Sequence, residues 1–263
     1  MSEQAPPRII DRRYFAAYLE AVSEDQAPQA GWRAFMQQPK LPPVRYAFQA
    51  SAVYSANIEG NTMDLNSYLR SKMRGGPHPK AKEQTEIDAL VDAYAFARRR
   101  VPSERNALEA HRLLARELLP ETQRGVYRTG RMFVYDSRGI LYAAVEAEHV
   151  AGLMRTFFDD LTALRRQSLN VNEAFYYAGL LHLVFVHIHP FEDGNGRMAR
   201  LLKKWFLAAH LGSKAGKIPS EEYYWRNRPT YYEAIRLGPT YYDLDYERCI
   251  PFLTLLSQAL TIS

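Results

Sequence analysis

The sequence contains very little cysteine and no long apolar segment. Cys249 is the one cysteine in 263 residues, so an internal disulfide is excluded and a disulfide-rich secreted scaffold is not expected. No apolar run approaches the ~20 residues that a membrane-spanning helix requires. The N-terminal stretch, MSEQAPPRIIDRR, lacks the apolar core of a signal peptide. These absences favour a cytoplasmic protein that has no membrane partner.

Charge of one sign is only slightly in excess. The chain has 34 Lys and Arg against 29 Asp and Glu, which gives a net charge of +5 and a pI of about 9.2. The densest basic run, residues 98–100, falls at the predicted end of a helix, where cations complement the carbonyl end of the helix dipole. The composition is compatible with a ligand that carries phosphate, and it does not favour nucleic acid as a partner.

Helical periodicity dominates the chain and predicts an all-α fold. Apolar residues recur at helical spacing in segments 86–100, 104–119 and, approximately, 146–166, 172–187, 196–211 and 246–261. One segment, residues 128–142, alternates around a glycine-containing turn and predicts a β-hairpin, which must lie on another element because isolated hairpins are only marginally stable. The glycine- and proline-rich stretch Gly75–Pro79 predicts a boundary between an N-terminal helical region, 1–78, and a core, 79–263.

The stretch HIHPFEDGNGR, residues 187–197, contains the backbone elements of an anion site. Pro190 disfavours helical continuation, so His189 is predicted where a helix gives way to a loop. Gly194, Asn195 and Gly196 precede a second helix, whose first amides lack internal partners and carry the positive end of the dipole. The sequence therefore predicts an anion cradle at this turn.

Side chains suited to phosphate chemistry surround the predicted cradle. Arg197 offers a planar fork of donors, and Arg200 lies one turn further along the helix. Together with Lys204, they are predicted to project away from the core on one face. Asp193 is the single carboxylate that would hold Mg²⁺, and His189 has an ordinary pKa suited to a general base. The arrangement predicts phosphoryl or nucleotidyl transfer.

A zinc site is the alternative interpretation of the histidines. His182, His187 and His189 would need Asp193 as a further ligand, because no cysteine accompanies them. Packed or hydrogen-bonded roles are favoured for His182 and His187.

Residues 189–200 read HPFEDGNGRMAR and resemble the Fic-family signature HPFx(D/E)GNGRxxR at every specified position. The resemblance extends from about Tyr46 to Leu260. It implies a Fic-like helical bundle with one β-hairpin flap beside the active site, and a buried Phe191 that anchors the loop. The implied activity is transfer of AMP from ATP to a Ser, Thr or Tyr hydroxyl of a target protein, which could be the protein itself. Mg²⁺ is the implied cofactor.

The stretch SANIEGN, residues 55–61, is similar to the family's inhibitory helix motif, (S/T)xxxE(G/N). Ser55 and Glu59 share a helix face, and a glutamate in the last turn opposes the helix dipole. The resemblance implies an inhibitory helix at about 46–60, in which Glu59 pairs with Arg200 and obstructs the site of the γ-phosphate.

The hairpin resembles the Fic flap, which pairs with the target segment. Met132 and Val134 are the predicted contact positions, with a packing role left open for both. RPTYYEAI resembles the adenine-pocket helix and makes Tyr232 a candidate base contact, although Tyr232 could instead be a core aromatic. The family's following asparagine is replaced in the stretch Leu237–Pro239, so the choice of nucleotide stays open.

Several alternatives to AMP transfer stay open at this point. UTP, GTP or CDP-choline could replace ATP. The phosphorylating branch of the family has a lysine at the position of Gly196. Glu59 could orient a water to remove AMP from a target, alone or as a second activity. A non-enzymatic alternative is a nucleotide-sensing or nucleic-acid-binding helical module. Assembly into homo-oligomers is compatible with the family resemblance.

Overall fold

The computed structural model describes residues 8–22, 27–74, 80–136 and 139–261, and this part of the chain is mainly helical. It contains twelve α-helices: α1 Phe15–Ala21, α2 Pro28–Gln37, α3 Val44–Ile58, α4 Leu65–Arg74, α5 Ala81–Arg98, α6 Glu104–Leu114, α7 Ala147–Arg165, α8 Val171–Ile188, α9 Asn195–Leu211, α10 Ser220–Arg226, α11 Arg228–Ile235 and α12 Ile250–Gln258. Short 3-10 turns occur at Glu121–Gln123, Ser213–Lys217, Tyr241–Asp243, Tyr246–Arg248 and Ala259–Thr261. The two strands are β1 Phe133–Asp136 and β2 Gly139–Ala143. The predicted all-α fold with one hairpin is confirmed.

Helix α8 is the centre of the fold. Every side chain from Ala174 to Ile188 is buried, and α8 packs against α9, α12, α2, α1 and α7. Its start is fixed by a reciprocal pair of bonds in which Asn170 accepts from the Glu173 amide and Glu173 accepts from the Asn170 amide. No helix within the described residues combines the length and apolar character needed to cross a membrane.

One hydrophobic core joins the described N-terminal helices to the rest of the molecule. Tyr18 and Phe35 belong to the same buried cluster as Leu181 and Phe252. The linker predicted at 75–79 lies outside the described residues, and the division at residue 78 stays a prediction.

The hairpin lies on the end of α8, as the marginal stability of isolated hairpins requires. The strands are antiparallel, with Val134 opposite Tyr142, and the Tyr142 hydroxyl donates to the His187 carbonyl at 2.6 Å. On the outer side of β2, Ala143 donates to the Pro239 carbonyl, which leaves β1 as the open edge in the described structure. Two residues of the predicted turn, 137–138, lie outside the described residues.

The predicted start of the last helix was wrong. That helix begins at Ile250 rather than near residue 246, because Tyr246–Arg248 forms a separate 3-10 turn. The Asp245 side chain accepts from the Glu247 amide and stabilises this turn. Pro251 then occupies the first turn of α12, where its missing amide costs nothing.

The predicted exposure of the basic residues of α9 was also wrong. Arg197, Arg200 and Lys204 are 7%, 1% and 3% exposed. Helix α9 is covered by neighbouring helices on several sides, including α8, α5, α6 and α3, so its polar face is enclosed as well as its apolar stripe. Buried cations are tolerated because carboxylates from other helices pair with them.

Candidate active site

His189 ends α8 in a strained conformation that is rare for a side-chain-bearing residue. It is the only non-glycine with positive φ, 53°, in the described part of the chain. Pro190 disfavours the helical region for His189, and the left-handed conformation turns the chain out of the helix. The His189 Nδ1 lies 3.0 Å from the Val186 carbonyl oxygen, which can only accept, so Nδ1 carries the proton. Nε2 is therefore left as the basic nitrogen.

The environment of His189 keeps the imidazole neutral near pH 7. Burial lowers its pKa from the ordinary value, and the bond to Val186 only partly offsets this effect. The positive charge of Arg128 lowers the pKa further. A neutral imidazole with a free Nε2 can accept a proton from a hydroxyl.

The loop after His189 is held from within by Phe191 and Asn195. Phe191 is 1% exposed, in the anchor position predicted for it. The Asn195 side chain accepts from the Phe191 amide at 2.9 Å and donates to the Phe191 carbonyl at 2.8 Å. Asn195 thus closes the loop with its side chain, and contributes to the anion cradle only through its backbone amide at the start of α9.

A buried histidine that the sequence analysis did not single out supports the loop from below. The His111 ring stacks on Phe191, with centroids 3.6 Å apart and an interplanar angle of 7°. Its Nδ1 accepts from the Gly125 amide, so Nε2 donates to the Asp193 carbonyl at 2.9 Å. Burial lowers the pKa of His111 to about 4, which keeps this tautomer uncharged.

The left-handed backbone at Gly194 favours glycine, and side chains from neighbouring elements lie close to both glycines of the cradle. Gly194 caps α9 with φ 82°, and a Cβ there would lie 3.0 Å from the Leu114 side chain. A Cβ on Gly196 would lie 2.4 Å from the Glu59 Oε1 and 3.2 Å from an Arg200 terminal nitrogen. The Glu59 carboxylate therefore occupies the space directly above the first turn of α9.

Arg200 is enclosed by the C-terminal end of α3 and by α11. Its Nη2 donates to the Glu59 Oε1 at 2.6 Å and to the Ser55 carbonyl at 3.0 Å, while Nε donates to the Ser55 hydroxyl at 2.9 Å. Its Nη1 donates to the Tyr231 hydroxyl at 3.1 Å. The structure thus brings together Ser55, Glu59 and Arg200, as the similarity to the inhibitory motif implied.

Glu59 is ionised in this environment. Burial alone would raise its pKa, but the charges of Arg200 and Arg197 outweigh that effect and hold the pKa of Glu59 below its usual range. The side chain is 26% exposed, in contrast to the 1% exposure of the Arg200 side chain. The ionised Glu59 carboxylate therefore lies on the cradle, and part of the Glu59 side chain is exposed to solvent.

Arg197 is paired with a second carboxylate, which sequence patterns did not reveal. Its Nη2 donates to the Glu86 Oε1 at 2.6 Å, and its Nη1 lies 3.5 Å from the Asp193 Oδ1. Glu86 belongs to α5 and precedes Arg197 by 111 residues, and its side chain is 15% exposed. Both arginines of the signature therefore already contact carboxylates.

Asp193 fits the role of a carboxylate that shares a metal with substrate phosphates. Its side chain is 51% exposed, and its Oδ1 accepts from the Gly194 amide at 2.5 Å. No cluster of three or more His, Cys, Asp or Glu suited to a metal occurs among the described residues. A metal that needs only one protein carboxylate, such as Mg²⁺ with a nucleotide, is compatible with this arrangement.

The alternative zinc site is not formed. His182 bonds through Nε2 to the Tyr231 hydroxyl at 3.0 Å, and His187 bonds to the Tyr246 hydroxyl at 2.7 Å and the Ile235 carbonyl at 2.9 Å. Both are packed, hydrogen-bonded core residues, as favoured from the sequence.

Tyr232 lies at the surface beside the end of α3, whereas Tyr231 is a core residue. Tyr231 is 1% exposed and Tyr232 is 37% exposed. The Tyr232 hydroxyl donates to the Ile58 carbonyl at 2.9 Å, and the Arg228 guanidinium lies 5.5 Å from its ring centroid. The exposed ring of Tyr232 is thus available to a ligand near the cradle.

Arg128 connects the catalytic loop to the hairpin and was missed in the sequence. It is 3% exposed, and its guanidinium donates to backbone carbonyls on both elements: His189 at 2.7 Å, Gly130 at 2.9 Å, Val145 and, more weakly, Ile188. A buried guanidinium held by carbonyls fixes the relative position of these segments. Met132 and Val134, the predicted flap contacts, follow directly on the β1 side and are half-buried.

Comparison with known proteins agrees with this geometry. Residues 102–207 match the model of the Fic/DOC family. The chain is 29% identical over 199 residues to a Protein adenylyltransferase Fic of Nematostella vectensis, covering 72% of this chain and 43% of that protein. It is 31% identical over 194 residues to the protein of the same name from Drosophila willistoni, covering 70% and 36%. The chain thus spans about two fifths of the length of these curated relatives.

The fold is shared with solved structures at lower identity. A Fic family protein from Desulfovibrio desulfuricans superimposes with a TM-score of 0.70 at 24% identity, over 99% of this chain and 74% of that one. A fragment of Fic-1 from C. elegans gives a TM-score of 0.62 at 20% identity, over 96% and 68%. Residues 102–207, which contain the complete signature, therefore form a domain of the Fic/DOC family, and the solved structures show that its fold is shared.

Proposed function

We propose that this protein transfers AMP from ATP to a hydroxyl group of a target protein. The observation that carries the proposal is the free Nε2 of a neutral His189 placed beside the amides of the glycine-rich turn and two arginines. An anion cradle alone needs no base, so the histidine distinguishes a transferase from a nucleotide-binding module. The names of the relatives at about 30% identity support the same activity.

In this proposal, the residues of the chain act on the substrates as follows. His189 Nε2 accepts the proton of a Ser, Thr or Tyr hydroxyl, whose oxygen forms a bond to the α-phosphorus. The bond from that phosphorus to the bridging oxygen breaks, and pyrophosphate leaves. The amides of Gly194, Asn195 and Gly196, together with Arg197, neutralise charge that develops on the phosphates. Mg²⁺ held by Asp193 would neutralise phosphate charge when bound.

We further propose that the described conformation is autoinhibited. The Glu59 carboxylate lies above Gly196 and contacts Arg200, so an anion of the protein stands where phosphate oxygens would approach the cradle. A nucleotide can bind productively only after this carboxylate moves. If the α-phosphate is displaced, the rate of AMP transfer should fall strongly, because correct orientation of the reacting atoms contributes a large share of catalysis.

The open edge of β1 and the exposed ring of Tyr232 support the assignments of target and base contacts. An edge strand recognises another chain through main-chain bonds, which suits a protein target held beside His189. Met132 directly precedes β1 and Val134 lies within it, and Tyr232 lies next to the end of the inhibitory helix.

Removal of AMP is a second candidate activity of the same site. Glu59 is ionised and close enough to His189 for each charge to influence the pKa of the other. An ionised carboxylate beside a base could orient a water molecule for hydrolysis.

The test is incubation with ATP labelled at the α-phosphate, followed by denaturation and detection of labelled protein. Strong labelling in Glu59→Gly with little in wild type is expected, and Glu59→Gly/His189→Ala should show none. ATP binding should persist in that double variant, which serves as the matched control. Labelling that survives the loss of His189 would refute the assigned base. A second assay incubates target that already carries labelled AMP with wild type or with Glu59→Gly. Loss of the label with wild type but not with Glu59→Gly would favour the second activity.

A further inference from the structure

Asn61 ties the end of the inhibitory helix to α5. Its Nδ2 donates to the Glu83 carbonyl at 3.1 Å and to the Glu86 Oε2 at 2.8 Å, and its Oδ1 accepts from the Met63 amide at 3.0 Å. The residue before it, Gly60, has φ 102° and no atoms near its Cβ position. The Asn61 side chain therefore anchors the turn after Glu59 to α5, and the Lys80 ammonium holds the next residue by donating to the Thr62 carbonyl and hydroxyl at 2.9 Å.

Glu86 is shared between this turn and the phosphate cradle. One carboxylate oxygen accepts from Asn61, and the other accepts from the Arg197 guanidinium at 2.6 Å. The side chains of Glu86 and Arg197 are 15% and 9% exposed, so solvent screens this connection weakly. A single carboxylate thus joins an arginine of the cradle to the turn that positions Glu59.

We propose that Asn61 and Glu86 form a latch that holds Glu59 above the cradle and opens when phosphate binds Arg197. The inference rests on the proposed function, since it names the regulation of the same site. Asn61 and Glu86 are positioning residues in this scheme, because both act through Glu59 and Arg197.

Competition for the Arg197 guanidinium explains how the latch opens. A phosphate that accepts from Arg197 takes the donor that now fixes Glu86. A less fixed Glu86 is a poorer acceptor for Asn61, so the turn after Glu59 loosens and Glu59 can leave Arg200. Coupling of this kind is reciprocal, so a loosened turn must also raise the affinity for phosphate.

Two substitutions break the latch without touching Glu59 or Arg200. Asn61→Ala removes both donor bonds to α5. Glu86→Gln keeps the shape but offers one acceptor oxygen in place of two, so it cannot serve both Asn61 and Arg197. The first matched control is Asn106→Ala, which removes a side-chain amide on α6 that donates to the Val101 carbonyl before that helix. The second is Glu83→Gln, which removes the same charge one turn earlier on α5.

The first readout is hydrogen exchange at the amides of residues 58–63, which does not require any enzymatic activity. Loss of one hydrogen bond changes a local opening equilibrium by about fivefold, so the two donor bonds of Asn61 predict a rise of at least about tenfold. The controls should leave exchange in this segment unchanged. The second readout is transfer of labelled AMP, which should be faster in Asn61→Ala than in wild type. The double variant Asn61→Ala/Glu59→Gly should transfer AMP no faster than Glu59→Gly alone.

The outcomes separate the latch from the proposed function. Wild-type exchange at residues 58–63 in both variants would overturn the latch, whatever the labelling shows. Faster exchange with no gain in transfer, while Glu59→Gly is active, would also overturn it, because the turn would then not control Glu59. Absence of labelling in Glu59→Gly would contradict the AMP-transfer proposal. In that case, ATP affinity would replace AMP transfer as the second readout. An ATP affinity in Asn61→Ala equal to that of wild type would then overturn the latch.

Discussion

Replacing Glu59 with glutamine should destabilise the protein by about 2 kcal/mol. The Glu59–Arg200 contact is 2.6 Å long and joins a 26% exposed side chain to one that is 1% exposed. Exposed pairs contribute about 0–1 kcal/mol, and breaking a fully buried pair costs about 3–5 kcal/mol, so this half-enclosed pair lies between them. Arg200 keeps its bonds to Ser55 and Tyr231. At ~2–4 °C per kcal/mol, the melting temperature should fall by about 4–8 °C.

The same substitution should tighten the binding of ATP by a comparable free energy. A phosphate on the amides at Gly196 needs the space that the Glu59 carboxylate fills, so the contact to Arg200 must break before phosphate can bind. In wild type, the free energy of the Glu59–Arg200 contact, about 2 kcal/mol, opposes the binding of ATP. Its loss in Glu59→Gln corresponds to an affinity gain of roughly 30-fold. Stability and affinity should therefore move in opposite directions.

Thermal unfolding and calorimetric titration with ATP measure the two effects on the same samples. Glu109→Gln is the control, because the Glu109–Arg112 contact is as short, 2.5 Å, while its side chains are 37% and 54% exposed. The control should change stability by less than about 1 kcal/mol and leave ATP affinity unchanged. A Glu59→Gln variant that loses stability but binds ATP like wild type would refute the competition. A variant unchanged in both would refute the contribution of the pair.

Three further predictions concern residues around the site and its supports. The labelling rate of an active variant should fall at low pH with a midpoint below about 6.5, because burial lowers the pKa of His189 from that ordinary value and the base must be neutral; a midpoint above about 6.5 would contradict this. Glu221→Gln should cost about 3–5 kcal/mol in denaturant unfolding, since it leaves Lys203 and Lys204 buried without a carboxylate; an unchanged midpoint would contradict it. Arg128→Lys should lower transfer and cost about 2 kcal/mol or more, because one ammonium cannot hold carbonyls of both loop and hairpin; normal transfer would show that the fork is dispensable.

The parts of the site that are contiguous in sequence could be predicted from it. The end of α8 at His189 follows from Pro190, and the start of α9 at Asn195 follows from the flanking glycines. The shared face of Ser55 and Glu59 follows from their spacing of four on a helix. In each case, local backbone chemistry decides the outcome, so no knowledge of tertiary packing was needed.

The parts that depend on contacts between distant segments could not be predicted. Glu86, His111 and Arg128 come from three separate elements, and their partners lie about 60 to 110 residues away. Patterns of polarity place charged residues at the surface, which is why Arg197 and Arg200 were expected to project outward. Their burial depends on carboxylates that other helices supply, and this pairing exists only in the assembled fold.

The burial of both arginines constrains how the site can be regulated. Burial of a charge is costly unless the charge is paired or hydrogen-bonded, and the protein pairs each arginine of the signature with a carboxylate. The two carboxylates differ in freedom. Glu59 caps the end of a helix beside a glycine, whereas Glu86 lies within α5 and is held by a second bond to Asn61. Exchange of one anion for another is therefore least costly at Glu59, while in the proposed latch a phosphate that competes with Glu86 for Arg197 acts on the turn through Asn61.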